Sequence, residues 1–177
     1  TVMDGKAMKV FHEGKLVADI PAHALAEEGP VYNRESEVPK YLREAQALDL
    51  TILEEPKNFN ETLLQLLDNP TIASKSWIYE QYDHMVRTDT VFLPGHDAAL
   101  ARIKGTKKAI AISTDCNGLY CFLDPYEGGK IAVVEAARNV ACSGAKPLAI
   151  TNCLNFGNPM KPEIFWQFQK CVEGMAD

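Results

Sequence analysis

The stretch Asp115–Pro159 constrains the chain most, because it packs an acid, a glycine pair and a run of amides around short apolar segments. An acid follows one apolar run (Asp115), Gly128-Gly129 precedes a helix of small residues, and Asn152 and Asn155 follow the next apolar run. Polar groups gathered at strand ends and at a helix start suit phosphate and magnesium, since backbone N–H groups there face a partial positive charge. Asp115 at a strand end can face a phosphate-bound divalent ion, although D-x-N-G is also a common Asx-turn. Lys130 adds a full positive charge beside the glycines, but neither standard phosphate-loop spacing is present. Asn139 lies in a helix otherwise rich in Ala and Val, where a buried amide needs a partner; it reads as a ligand contact or as a tie between helix and loop.

Around this stretch the chain alternates helices and strands without the regular period of a doubly wound sheet, so the expected class is α+β, a mixed sheet with helices on one face. Residues 7–20 read as a hairpin turning at Glu13-Gly14, and Ala22–Glu28 as a short helix. A two-stranded hairpin does not stand alone in water, so it belongs to a neighbouring packing unit. The polar run 32–50 reads as a linker, and Asn60 as the cap of a leucine-rich helix. Trp77, Ile78, Gln81, Tyr82 and Met85 recur at helical spacing and read as a packed core face. Strands are expected at 98–103, 107–113, 119–123 and 147–151, and helices at 130–143 and 162–176. The opening Thr1-Val2-Met3-Asp4-Gly5 and a helix running to Asp177 read as the ends of a piece of something longer.

The chain has 177 residues, 46% hydrophobic content and a net charge of −6, enough for a real core. With no basic run, a nucleic-acid surface is disfavoured. No apolar run is long enough for a membrane span, and a signal-peptide core is missing at the start. The five cysteines lack a C-x-x-C pair and read as reduced, mostly buried thiols of a cytoplasmic protein, Cys116 included. His96, beside Asp97, reads as a solvated turn histidine more readily than as a catalytic base.

The run D-C-N-G-L-Y-C-F-L-D-P-Y-E-G-G-K, the helix after it and L-A-I-T-N-C-L-N-F-G-N-P resemble the second half of the phosphoribosylformylglycinamidine synthase family, large synthetase subunit. The resemblance implies an aminoimidazole ribonucleotide synthetase-like fold. Residues 1–32 would be the remnant of a preceding C-terminal-type domain, 33–90 a linker with opening helices, and 91–177 a second ATP-binding-type domain cut short at its C-terminus. It also implies ATP and Mg2+ as cofactors of the intact enzyme, with formylglycinamide ribonucleotide as substrate and ammonia from a glutaminase subunit. The same resemblance implies a small accessory subunit in that assembly. The cofactor-binding candidates are Asn152, Asp115, Asn139, Gly128, Gly129, Lys130 and Asn155.

Catalytic residues are not expected here. The family's H-N-H-P segment corresponds to Asp115-Cys116-Asn117-Gly118, its S-E-H-C-S-Y-K run to Tyr79-Glu80-Gln81-Tyr82-Asp83, and its G-G-N-V-S motif would lie beyond Asp177. Asn152 stands where family members often carry aspartate, which leaves the metal ligands unassigned. The family is an internal pseudo-dimer, so the isolated piece is expected to homodimerise. The alternative function is a degenerate repeat that only holds nucleotide or supplies an interface.

Overall fold

In a computed structural model the structure describes residues 5–177; Thr1, Val2, Met3 and Asp4, read above as part of a cut start, lie outside the described residues. The chain divides into two compact units, one ending at Arg34 and the other spanning Glu35–Asp177.

The first unit is a hairpin, β1 (Ala7–His12) antiparallel to β2 (Lys15–Pro21), followed by the one-turn helix α1 (Ala22–Ala26). The turn places Glu13 at φ 48° and Gly14 at φ 77°. Two successive left-handed residues match the right-handed twist of the strands, and glycine takes the second at no steric cost.

The second unit is α+β. After α2 (Lys40–Gln46), α3 (Phe59–Asp68) and α4 (Ser76–Tyr79) come three short strands, β3 (Thr90–Phe92), β4 (Ala99–Arg102) and β5 (Ala109–Ile112), ordered β3-β4-β5. Both sheets are antiparallel, not mixed. Three helices follow: α5 (Gly118–Leu123), α6 (Pro125–Cys142) and α7 (Pro162–Ala176).

Residues 119–123, expected as a strand, form α5 instead. Asn117 is the reason: its Oδ1 accepts from the N–H groups of Leu119 at 3.0 Å and Tyr120 at 3.4 Å, satisfying two donors at a helix start. The next helix begins at Pro125, five residues before the expected start. Asp124 caps it, accepting from Glu127 N–H at 3.1 Å, and Pro125 takes the first helical position, where a missing N–H costs nothing. The run 147–151 forms no strand; Leu148 and Ile150 are exposed on an irregular connection. The leucine-rich helix is capped by Asn58, not Asn60, through bonds to Asn60 N–H and Glu61 N–H. The aromatic stripe is not core: α4 stops at Tyr79, and Trp77, Ile78, Tyr82 and Met85 are exposed.

The packed centre is the α5–α6–α7 group with α2 against it. Tyr41 on α2 stacks on Phe122, with ring centroids 4.1 Å apart, and donates to the Phe122 carbonyl at 2.8 Å. Gln167 Nε2, buried on α7, donates to the Tyr41 hydroxyl at 2.6 Å. Burial raises the Tyr41 phenol above its ordinary range, while the Gln167 bond pulls it back down. Around this knot Leu42, Pro39, Pro125 and Cys171 are buried.

Candidate functional site

Of the residues read as a site, the structure brings Asp115 and Asn139 into contact. Asp115 sits between the end of β5 and the cap of α5, and Asn139 lies one turn before the end of α6. Asn139 Nδ2 donates to Asp115 Oδ1 at 2.8 Å, and the Ser113 hydroxyl donates to Asp115 Oδ2. The half-buried carboxylate is therefore fixed from two sides. An ionised carboxylate has about four acceptor positions, so it still has capacity for a further donor or a cation. Ser113 did not figure among the expected residues; its signal was its place two positions before the acid at a strand end, the spacing of a local side-chain turn.

The glycine pair does not open the helix. Gly128 and Gly129 lie within α6 and are buried by neighbouring helices. A Cβ on Gly128 would sit 2.5 Å from the Cys121 Cα, and one on Gly129 would sit 2.5 Å from the Cys171 carbonyl oxygen. Gly128 N–H is already bonded to the Asp124 carbonyl at 2.8 Å. These glycines let α5 and α7 approach α6 closely, which is a packing role rather than a phosphate cradle. The start of α6 is held by Asp124, whose second oxygen accepts from Gln46 Nε2 at 3.3 Å.

Lys130 turns toward the end of α7. Its ammonium lies 3.2 Å from Asp177 Oδ2 and 3.9 Å from Glu127, and 5.2 Å from the Tyr126 ring centroid. The Asp177 bond first, then the Glu127 charge, raises the lysine above its ordinary range; Asp177 is lowered by the Tyr126 hydroxyl and by Lys130. Nine helical steps separate Lys130 from Asn139, about 14 Å along the axis. The expected convergence of Lys130, Gly128 and Gly129 with Asp115 at a helix N-terminus does not occur, since Asp115 meets the other end of α6. Asn152 and Asn155 are exposed on the connection from α6 to α7.

Cys116, Cys142 and Cys153 are exposed, Cys121 is half-buried and Cys171 is buried, so most of the thiols are not interior as expected. His96 is exposed and stacks on Phe92, with centroids 4.6 Å apart. Among the described residues no group of three or more His, Cys, Asp or Glu is arranged to hold a metal ion, and no helix is long and apolar enough to cross a membrane.

Residues 95–177, which hold β4, β5, the Asp115–Asn139 contact and the three packed helices, match the family model of the AIR synthase related protein, N-terminal domain. Two solved structures match nearly the whole chain: T. maritima PurL complexed with ADP and the same protein complexed with ATP. Each is 28% identical over 98% of this chain, with TM-scores of 0.53 and 0.51. The chain is PurL-like in sequence and fold, and it spans about a quarter of the length of those proteins, 26%.

Proposed function

We propose that this chain supplies an AIR synthase-type nucleotide-binding portion of a phosphoribosylformylglycinamidine synthase, with Asp115, Asn139, Asn152 and Asn155 on the nucleotide side. One observation carries the reading: 98% of the chain follows a PurL seen in complex with both ADP and ATP. The local chemistry supports it. Asp115 is pre-oriented by Ser113 and Asn139 and has acceptor capacity left. Asn152 and Asn155 offer exposed amides that can both donate and accept.

A single carboxylate suits magnesium that keeps most of its waters and is carried in by phosphates, the usual way this ion is bound. Asp115 is the residue that would face it; its charge stabilisation of phosphates is the chemistry that ion supplies. Gly128, Gly129 and Lys130 are left out, because helix packing and the Asp177 contact account for them.

In the whole enzyme the reading places formylglycinamide ribonucleotide, ATP and ammonia from a glutaminase subunit in one reaction, with a small accessory subunit, in the cytoplasm. The chain alone, without the family's histidine motif, is inactive as a synthetase. A second reading, an interface module, draws on the sheet. Ile110 and Ile112 lie on one face of β5, opposite Ala101 and Ala99, and both isoleucines are exposed. Exposed apolar surface of this kind is covered most simply by a second copy in a two-fold dimer.

Titration calorimetry with ADP and magnesium tests the nucleotide reading. Asp115→Asn and Asn139→Ala are expected to weaken binding about tenfold, the scale of one charge-assisted contact, and Lys130→Ala to leave it unchanged. Equal binding by all three variants, or loss only in Lys130→Ala, contradicts the assignment.

A further inference from the structure

Three thiols meet where α5, α6 and α7 pack: Cys116 on the segment between β5 and α5, Cys121 on α5 and Cys171 on α7. Cys116 Sγ and Cys121 Sγ are 3.7 Å apart, and Cys171 lies close enough to Cys121 to act on its thiol electrostatically. Exposure falls along the series, from exposed Cys116 through half-buried Cys121 to buried Cys171. Among the described residues no group of three or more His, Cys, Asp or Glu, these thiols included, is arranged to hold a metal ion.

We propose that Cys116 and Cys121 are a redox-active pair, a modification site for low-molecular-weight disulfides such as oxidised glutathione, that closes to an intramolecular disulfide. A disulfide needs its sulfurs about 2.05 Å apart. The present separation must therefore shrink by about 1.7 Å, which a side-chain rotation at Cys116 can deliver because that residue is exposed and lies outside the helix. This inference does not depend on the nucleotide reading.

The chemistry runs by thiol–disulfide exchange. The Cys116 thiol loses its proton to solvent and its sulfur attacks one sulfur of the small disulfide, forming a mixed disulfide and releasing one small thiol. Cys121, after losing its own proton, then attacks the Cys116 sulfur, forming the Cys116–Cys121 bond and releasing the second small thiol. The two cysteines are oxidised by two electrons and the small disulfide is reduced to two thiols. Burial first, then the Cys116 contact, pushes the Cys121 thiol up to about 12. Cys121 is half-buried while Cys116 is exposed, so the second step is the slow one and the adduct on Cys116 accumulates before closure. Once closed, the disulfide pins the segment that carries Asp115 to α5.

The experiment treats the intact 177-residue chain with oxidised glutathione, blocks remaining thiols by alkylation at intervals, and maps tryptic peptides by mass. The peptide Ala109–Lys130 contains both cysteines. It should pass through a glutathione adduct to a form lighter than the reduced peptide by the mass of two hydrogens and closed to alkylation; dithiothreitol should reverse this. Cys142 and Cys153 should go no further than the adduct, and Cys121→Ser should stop at the adduct on Cys116. The wild-type map decides the matter even if that variant does not fold. A peptide that ends with glutathione on Cys116 and no internal bond, or a link from Cys121 to Cys171 instead, overturns the proposal.

Discussion

Replacing Gly174 by alanine should destabilise the chain by about 2 kcal/mol, and the estimate can be built from two opposing effects. Gly174 lies on α7 against α6, where an added Cβ would fall 2.0 Å from the Tyr126 carbonyl oxygen and 2.8 Å from its carbonyl carbon. Ordinary contact is about 3.5 Å, so the two helix backbones would have to separate by an ångström or so. The obstacle is backbone on both sides, which leaves no rotamer to absorb it. Overpacking of this kind costs roughly 1–3 kcal/mol and occasionally more. Separation also loosens the close approach of Gly129 to Cys171 and the Tyr126 hydroxyl bond to Asp177, 2.9 Å long, which puts the gross cost at about 3 kcal/mol. Against it stands the better helix propensity of alanine, about 1 kcal/mol. Urea denaturation followed by circular dichroism measures the balance. Gly118→Ala is the control, since nothing lies within 4 Å of its added Cβ; it should be neutral or slightly stabilising. A Gly174→Ala chain as stable as wild type would refute the close crossing of α6 and α7.

Tyr41→Phe should cost about 1–3 kcal/mol, because it removes the donor to Phe122 and strands the buried Gln167 amide; a midpoint of urea unfolding equal to wild type would speak against the knot. The contribution of the Cys121 thiol to stability should be full below about pH 9 and be lost as pH rises toward 12. The folded chain holds the Cys121 proton up to about 12 while an ordinary thiol loses it near 9.0, so the unfolded form is favoured in between. An equally steep decline in Cys121→Ser would contradict that cause. The proposed two-fold dimer predicts that the wild type sediments as a dimer and Ile110→Glu as a monomer; a monomeric wild type, or a variant that remains dimeric, would contradict an interface on β5.

Legibility followed the range of the interaction. The hairpin was readable because Glu13-Gly14 announces its own turn, and the helix Pro162–Ala176 because its proline and its apolar spacing mark start and face within one segment. Two errors had local signals that were outweighed. Asn117 before Leu119–Leu123 is a cap, and Asp124-Pro125-Tyr126-Glu127 is a helix start, yet the apolar run and the glycine pair drew the reading elsewhere. The glycines were misjudged because their reason lies in another element: only the packed structure shows the Cys121 and Cys171 backbones against them. At 147–151 an apolar run had β propensity but finds no strand to pair with among the described residues, and propensity without a partner makes no ladder. Asp115 and Asn139 were each suspect from their own surroundings, but their contact across the fold is tertiary.

Amide chemical-shift mapping of the isotopically labelled chain during titration with ADP and magnesium tests the central claim most directly. Weak binding is expected, with perturbations concentrated at Asp115, Asn139, Asn152 and Asn155 and little change at Gly128, Gly129 and Lys130. A folded chain that shows no perturbation at the first group, or one whose shifts centre on Gly128–Lys130, would contradict it.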